Sequence, residues 1–277
     1  MPTFALHFIT GYNSCSQCYF SIIPIDRFEQ LICKNVFGDS KNNYLRIKVM
    51  KNKKVLFVLT STGELGKTGK PTGWWISEAS HPWKALTQAG YEIDYVSPHG
   101  GEPDKTGEDP TDLINKQFLE NSEVQRKLKN TMTPQDINID DYCAIHFVGG
   151  HGAMWDLPYD TNLAKITAKF WEQGKVVSAI CHGVAGLLNV KLRGGEYLVK
   201  GKDLTSFNDM EEKAIDMCSV IPYFLQCELM MRGAKYHLAR EWADNVQVHE
   251  RLITAQNPQS GKSLGSALVS MLEHLHI

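Results

Sequence analysis

The stretch VVSAICHGVAGLL, residues 176–188, decides how the chain folds. It opens with small and apolar residues typical of a strand, stops at Cys181, and continues as a helix-like run. Ala179 and Gly183, two residues before and two after the cysteine, resemble the sharp strand-to-helix turn that exposes a nucleophile. Free cysteine is also among the most buried residue types. From position alone, Cys181 is therefore either a core thiol or a nucleophile.

Strands and helices alternate on both sides of this stretch. The predicted strands are 54–60, 91–97, 142–148, 175–180 and a pair ending at 251–255, and the predicted helices are 78–89, 113–135, 161–173, 209–231 and one from about Gly261. Residues 193–207 look like a polar hairpin. The alternation predicts an α/β fold, in which a doubly wound, mostly parallel sheet carries helices on both faces, as in a flavodoxin-like sandwich.

Two segments stand apart from this pattern. Residues 1–49 show no sustained period, and Met50 precedes a short lysine-rich segment and a buried strand. We therefore expect 50–277 to be the α/β domain, 1–49 to be an extension of uncertain origin, and Met50 to be the natural start. The polar excursion at about 98–135 has the composition of a lid.

Composition narrows the class of protein. The net charge is −2, so we expect no nucleic-acid partner. No window reaches the about 18 apolar residues of a membrane span, and the first residues lack the basic segment of a secretory signal. The seven cysteines are scattered, which suits a reducing compartment, and the CxxC at Cys15 and Cys18 has no second pair to complete a zinc site. We expect a cytoplasmic protein without a membrane partner.

The glycine loop Gly149-Gly150-His151-Gly152 follows a predicted strand. Its backbone N–H groups can form an oxyanion site, or the loop is an ordinary tight turn. It lacks the patterns that bind nucleotide phosphates. His146 and His151 do not have the spacing of a metal-ligand pair, so we expect no metal.

His182 directly follows the cysteine. Neighbouring residues on a regular helix do not face one another, but at a sharp turn Cys181 and His182 can pair, with a carboxylate to orient the imidazole. A thiol at the N-terminus of a helix has a lowered pKa, which favours the reactive thiolate.

Six motifs in chain order carry a specific resemblance. They are KVLFVLTS, TGWWISEASHPWKALTQAGYEIDYVSP, DDYCAIHFVGGHGAMWDLP, VVSAICHGVAGLL, LTSFNDMEE and RLITAQNPQS. Together they resemble the ThiJ/PfpI superfamily, which shares the class I glutamine amidotransferase-like fold, and within it the glyoxalase III and heat-shock-protein-31-like branch. The similarity runs from about Lys53 to the C-terminus.

The resemblance implies roles for particular residues. Cys181 matches the family nucleophile and His182 the catalytic histidine. Glu78 matches an acid that hydrogen-bonds the sulfur, and Glu212 the acid that orients the histidine, although Asp209 and Glu211 are close enough in sequence to be confused with Glu212.

Backbone roles are implied as well. Gly150, beside Gly149, matches the backbone donor that holds an oxyanion together with the His182 amide. Relatives are commonly dimers, so the resemblance also implies a homodimer.

The implied reaction converts the dicarbonyl methylglyoxal to lactate without glutathione, as in a lactate dehydratase-type lyase. Cys181 forms a hemithioacetal, His182 moves a proton from C1 to C2 through an enediol, and water hydrolyses the lactoyl thioester. The implied reaction requires no cofactor. The resemblance also leaves open a protein or nucleotide deglycase activity, because glyoxal, glycated side chains and small peptides present a carbonyl to the thiolate as well.

Two alternatives stay open. One is a stress chaperone, with Trp74, Trp75 and Trp155 as an apolar patch. The other is an amidotransferase or peptidase, in which His249-Glu250 would serve the cysteine.

Overall fold

A computed structural model of the chain describes residues 53–275. The expected extension at 1–49 and the expected start at Met50 lie outside the described residues. Among residues 53–275, no helix has both the length and the apolar composition that a membrane span requires.

The described chain alternates short strands and helices. The strands are β1 Lys54–Val58, β2 Trp74–Trp75, β3 Glu92–Val96, β4 Lys105–Thr106, β5 Ala144–Phe147, β6 Val176–Ile180, β7 Asp203–Leu204, β8 Lys235–Tyr236, β9 Val246–His249 and β10 Leu252–Ala255. The helices are α1 Ile76–Gln88, α2 Leu113–Glu120, α3 Ser122–Leu128, α4 Ala153–Asp156, α5 Thr161–Glu172, α6 Asp209–Ala214, α7 Leu225–Met231 and α8 Gly261–Leu275. Each predicted main strand has a counterpart within a few residues, and the predicted helical stretches 113–135 and 209–231 each contain two shorter helices.

The central sheet has six strands in the order β3-β1-β5-β6-β10-β9. Its first five strands are parallel, and β9 closes one edge as an antiparallel strand against β10. β5 and β6 are buried along their whole length, which is why both read as continuous apolar runs rather than alternating ones. The mostly parallel sheet predicted from sequence is confirmed.

Helices cover both faces of this sheet, as a doubly wound fold requires. On one face α1 and α8 pack through residues such as Leu86 and Leu268 onto Phe57 of β1. On the other face α5 packs through Phe170 onto Ile145 of β5. Successive strand residues point to opposite faces, so one apolar run supplies both cores.

One local expectation was wrong in extent. Residues 193–207 do not form a hairpin over their whole length: an antiparallel bridge joins Lys191 to Tyr197 in a tight turn, and β7 pairs in parallel with the later strand β8. The helix-like run after Cys181 is a 3₁₀ helix over Cys181–Leu187. Gly186 in this segment lies so close to the Phe147 ring that a Cβ would overlap it, and this close approach fixes the path of the segment.

The excursion at 98–135 contains α2 and α3, and it packs on the rest of the domain. Phe118 of α2 is fully buried and makes edge-on contacts with Trp74, Trp83 and Tyr95. His81 of α1 lies 2.7 Å from the Asp112 carboxylate at the start of α2. The lid function stays a prediction.

The chain reverses its direction of winding between β1 and β5. It runs from β1 outward to β3, and then returns across β1 to β5 and β6. In such sheets the binding crevice lies beyond the carboxyl ends of the strands at this switch point. The loops after β5 and β6 begin at Val148 and Cys181, and they meet at this edge.

Candidate active site

Cys181 sits on a strained turn at the carboxyl end of β6. Its φ is +56°, in the left-handed region that costs a non-glycine residue about 1–2 kcal/mol. Gly183 permits the turn, because a Cβ there would lie 2.5 Å from the Phe147 carbonyl oxygen. The predicted nucleophile elbow thus has its structural counterpart.

The side chains of Cys181, His182 and Glu212 contact one another in succession. The distance from Cys181 Sγ to His182 Nδ1 is 3.4 Å, and His182 Nε2 lies 2.6 Å from Glu212 Oε1. All three side chains are buried. Burial acts against ionisation of Glu212, but the two imidazoles of His182 and His151 outweigh it and hold the pKa at about 2. Glu212 is therefore a carboxylate that accepts from Nε2–H, which leaves Nδ1 as an acceptor facing the thiol.

Glu78 reaches the cysteine from the first turn of α1. The Trp75 N–H donates to the Gly149 carbonyl at 2.9 Å, which fixes the start of this helix against the glycine loop. Glu78 is fully buried, and within the described part of the chain neither carboxyl oxygen has a hydrogen bond of ordinary geometry. Burial raises its pKa to about 8, although the nearby Cys181 thiol and Gly149 N–H oppose the shift. Glu78 is thus largely protonated at neutral pH.

The expectation that a helix N-terminus lowers the pKa of the Cys181 thiol was wrong. Burial raises the pKa of Cys181 above its ordinary value, and Glu78 adds to the rise, while the His182 amide N–H opposes it. Desolvation has the largest effect on the Cys181 pKa because the sulfur is enclosed by protein. The sequence motif around the turn does not indicate how completely the sulfur is enclosed. The thiol therefore needs a base to remove its proton, and His182 Nδ1 is the nearest.

The glycine loop leaves room for the Glu78 and Cys181 side chains to approach each other. A Cβ on Gly149 would overlap Glu78 Oε2 and lie 2.8 Å from Cys181 Cβ, so only glycine lets the acid and the cysteine approach. Gly150 has a φ of +106°, and its N–H has no acceptor among the described residues. That N–H is therefore available to hydrogen-bond an oxyanion. The oxyanion role of Gly150 stays a prediction.

The structure separates the three neighbouring acids of α6. Glu212 faces His182, whereas the Asp209 carboxylate lies 3.6 Å from the Cys227 sulfur. Glu211 is fully buried and does not contact the histidine. Its carboxylate accepts five hydrogen bonds, which come from Asn208 N and Nδ2, Trp242 N, Gln256 Nε2 and Asn257 Nδ2.

Sequence reasoning missed two rings that enclose His182. The His151 ring lies 3.9 Å from it between centroids, and His151 Nε2 lies 3.2 Å from Glu212 Oε2. Phe207 lies 4.5 Å away and in turn contacts Trp242 at 5.8 Å. The position of His151 in the loop after β5 was visible in the sequence, but its partner is 61 residues away.

Other histidines considered from sequence lie elsewhere. His146 is buried, 3.1 Å from Ser178 Oγ, and is not paired with His151. His249 lies 2.7 Å from the Asp203 carboxylate at the end of β9. The antiparallel register of β9 sets His249 beside Leu252, at the opposite end of the sheet from Cys181, so it does not serve the cysteine.

The tryptophans of the expected apolar patch are not together at the surface. Trp74 is buried in the core and donates to the Pro103 carbonyl. Trp75 and Trp155 are half-buried against Gly107 and Gly66.

Known proteins resemble this chain over most of its length. Glutathione-independent glyoxalase HSP31 of Saccharomyces cerevisiae is 31% identical over 243 residues, which are 81% of this chain and 100% of the relative. Glyoxalase 3 of Candida albicans is 33% identical over 236 residues, or 79% of this chain and 98% of the relative.

Solved structures share the fold. The Rapid Encystment Protein 24 kDa of Francisella tularensis matches with a TM-score of 0.75 and 38% identity over 79% of this chain and 98% of its own. Glyoxalase III of Candida albicans matches with a TM-score of 0.70 and 30% identity over 79% and 96%. A profile of the DJ-1/PfpI family matches residues 75–271. The chain belongs to the DJ-1/PfpI family.

Proposed function

We propose that this protein is a glutathione-independent glyoxalase that converts methylglyoxal to lactate with Cys181 as its nucleophile. One observation carries the proposal. The Cys181 thiol lies 3.4 Å from an imidazole nitrogen whose ring is held at its other nitrogen by the Glu212 carboxylate. This is the arrangement of an activated thiol, and the relatives named as glyoxalases support the choice of substrate.

The first step joins substrate and enzyme. Cys181 Sγ attacks the aldehyde carbon C1 of methylglyoxal while its proton passes to His182 Nδ1. The C1 oxygen gains negative charge, which the Gly150 N–H stabilises, and it then takes the proton from the imidazolium. The product is a hemithioacetal with a neutral His182.

The second step oxidises C1 and reduces C2. His182 Nδ1 removes the proton from C1 and passes it to the C2 oxygen, which gives an enediol and a neutral His182. Nδ1 then takes the proton of the C1 hydroxyl and delivers it to C2, so the C1 oxygen becomes the carbonyl of the lactoyl thioester. Water hydrolyses the thioester to lactate and the Cys181 thiol. No external reductant or oxidant enters, because C1 is oxidised and C2 reduced within one molecule.

Glu78 supports these steps as a neutral acid. Its pKa of about 8 keeps it protonated at neutral pH, beside a sulfur that must become negative. A neutral carboxyl can donate a hydrogen bond to the thiolate, whereas a carboxylate would repel it.

The test is turnover of methylglyoxal in the absence of glutathione, with lactate as the measured product and glyoxal as a second substrate. Cys181→Ala should lose turnover. Cys143→Ala is the matched control, because Cys143 is also a buried free cysteine but lies directly before β5 with its sulfur near the Lys54 carbonyl. Equal lactate formation by Cys181→Ala and the unaltered protein would reject the proposal.

A chaperone function is the second candidate, and exposed apolar side chains favour it. Between residues 210 and 248 these include Met210, Phe224, Met230, Met231, Leu238 and Trp242. Exposed apolar groups are typical of surfaces that bind other proteins. Cys181→Ala separates the two functions, because it should lose lactate formation but keep any suppression of aggregation.

We further propose that the protein is a cytoplasmic homodimer. The same exposed side chains are candidates for the subunit contact. Light scattering coupled to size exclusion, together with fractionation of the host cell, tests both statements.

A further inference from the structure

Three potential metal ligands converge on one side of the active site. His151, His182 and Glu212 each point a ligand atom at the same space, and these atoms all lie within 4.8 Å of one another. His151 Nε2 and His182 Nε2 contact different oxygens of the same carboxylate, at 3.2 and 2.6 Å. We propose that these three residues bind Zn²⁺, and that zinc bound there inhibits the Cys181 centre.

The donor set matches zinc. Two imidazoles and one carboxylate, with a fourth position left for water, form one of the established arrangements for this ion. Zinc needs neutral imidazole and ionised carboxylate.

The geometry requires only small movements. Zinc–nitrogen bonds of about 2.0–2.1 Å in a tetrahedral site set two ligand nitrogens about 3.3 Å apart. The imidazoles already lie against each other, with centroids 3.9 Å apart and an angle of 37° between their planes. The His151 side chain is 17% exposed, whereas Glu212 is almost fully buried, so His151 is on the side from which an ion and its water can enter.

Bound zinc would reverse the tautomer of His182. Without metal, Nε2 carries the proton and donates it to Glu212, so Nδ1 is free to accept from Cys181. Zinc takes the Nε2 lone pair, and the displaced proton moves to Nδ1, so the imidazole stays neutral. A protonated Nδ1 cannot remove a proton from the thiol or from C1. Only this inhibition rests on the proposed glyoxalase function; the binding of zinc does not.

A rival cluster lies outside the active site and supplies a matched control. Asp203 contacts His237 Nε2 at 2.6 Å and His249 Nδ1 at 2.7 Å, so it also joins two imidazoles through one carboxylate. These side chains are more exposed, at 47% for His237 and 26% for His249.

Zinc binding is measured first, by equilibrium dialysis of ZnCl₂ against the full chain carrying Cys181→Ala, which removes the catalytic thiol as a ligand. Adding His151→Phe should remove one equivalent of zinc or weaken its binding at least about 10-fold. Adding His249→Gln should leave that equivalent in place. Any zinc held by Cys15 and Cys18 is common to all three proteins and cancels.

Inhibition is measured second, as the loss of turnover with added ZnCl₂ and its recovery with a chelator, each variant being compared with its own metal-free rate. His151→Phe should need at least about 10-fold more zinc for half-inhibition, and His249→Gln should behave like the unaltered protein. Mg²⁺ should not inhibit.

Cobalt shows which atoms bind. A Co²⁺ complex with nitrogen and oxygen ligands lacks the near-ultraviolet band of a cobalt–thiolate bond, so that band should be absent from the protein with Cys181 intact. If the protein carrying Cys181→Ala binds no zinc, or if the added His151→Phe leaves its zinc binding unchanged, the proposed site is wrong. If no variant turns over methylglyoxal, the glyoxalase proposal fails while the dialysis result still decides the zinc site.

Discussion

Glu212 Oε1 accepts a hydrogen bond of 2.6 Å from His182 Nε2, and both groups are buried. This bond sets the tautomer of the imidazole, because an ionised carboxylate can only accept. The nitrogen that faces Cys181 is consequently the one that carries a lone pair.

Glu212→Gln should lower kcat by about 10²–10⁴-fold, since an amide can orient the ring in the wrong tautomer, as in serine proteases that lose their triad carboxylate. KM should change little. The control is Asp209→Asn, which neutralises an acid on the same helix that faces Cys227 instead of His182. Steady-state kinetics with methylglyoxal measure both, and equal losses in the two variants would contradict a specific role for Glu212.

The rate should depend on pH in a bell-shaped manner. His182 must be neutral to accept a proton, and its pKa is lowered to about 4, so kcat/KM should rise as pH increases through that value. Glu78 must be protonated, and its pKa is about 8, so the rate should fall above that pH. Glu78→Gln should remove the alkaline limb. A profile of Glu78→Gln that still falls at the same pH would assign that limb to another group.

Glu78 should also make folding stability depend on pH. Its pKa rises from 4.5 to about 8 on folding, so between these values the folded state holds a proton that the unfolded chain has released. The free energy of unfolding should therefore fall, by up to several kcal/mol, as pH rises across this window. Urea unfolding at pH 5 and pH 8 measures the difference. Glu78→Gln should flatten the dependence, while Glu102→Gln, at an exposed position, should leave it intact.

The alternation of apolar runs and helical segments was enough to predict the sheet and its covering helices, because central strands such as β5 and β6 are buried on both faces. It was not enough for β7 and β8, which are two residues long and pair in parallel across 30 residues of chain. Pairings of such short strands leave no periodic pattern in a sequence.

Some features of the candidate site were also predictable from sequence, and others were not. The elbow at Cys181 has a local signature, the small residues around it, and was predictable from sequence. The thiol pKa depends on how completely Glu78 and the glycine loop enclose the sulfur, and that enclosure comes from segments far apart in sequence. The contact of His151 with Glu212 is equally non-local.

Gly149→Ala should abolish turnover and destabilise the protein by about 1–3 kcal/mol, because the added Cβ would overlap the Glu78 carboxyl and crowd Cys181. Gly194→Ala is the control, since a Cβ there meets nothing within 4 Å and the backbone is not left-handed. Kinetics and thermal unfolding of the two variants measure the effect. Normal turnover in Gly149→Ala would mean that Glu78 and Cys181 need not approach each other for catalysis.

Glu211→Gln should cost about 2–5 kcal/mol of stability. One carboxylate oxygen accepts from Trp242, Gln256 and Asn257, and the other accepts twice from Asn208, so a glutamine NH₂ must face donors on one side. Glu241→Gln, at an exposed neighbouring position, should be neutral. Denaturant titration compares them, and equal stability of both variants would show that the five bonds contribute little.

The left-handed backbone conformation at Cys181 lowers the stability of the domain. Glycine would adopt that conformation freely, whereas cysteine gives up about 1–2 kcal/mol to hold it. This cost falls at the residue that follows β6, where the chain turns sharply and the Cys181 sulfur projects away from the strand. Close packing of Gly183 on β5 and of Gly149 against Glu78 prevents the turn from relaxing. Reactivity at Cys181 is thus maintained by the rigidity of its neighbours and not by the intrinsic preference of the cysteine.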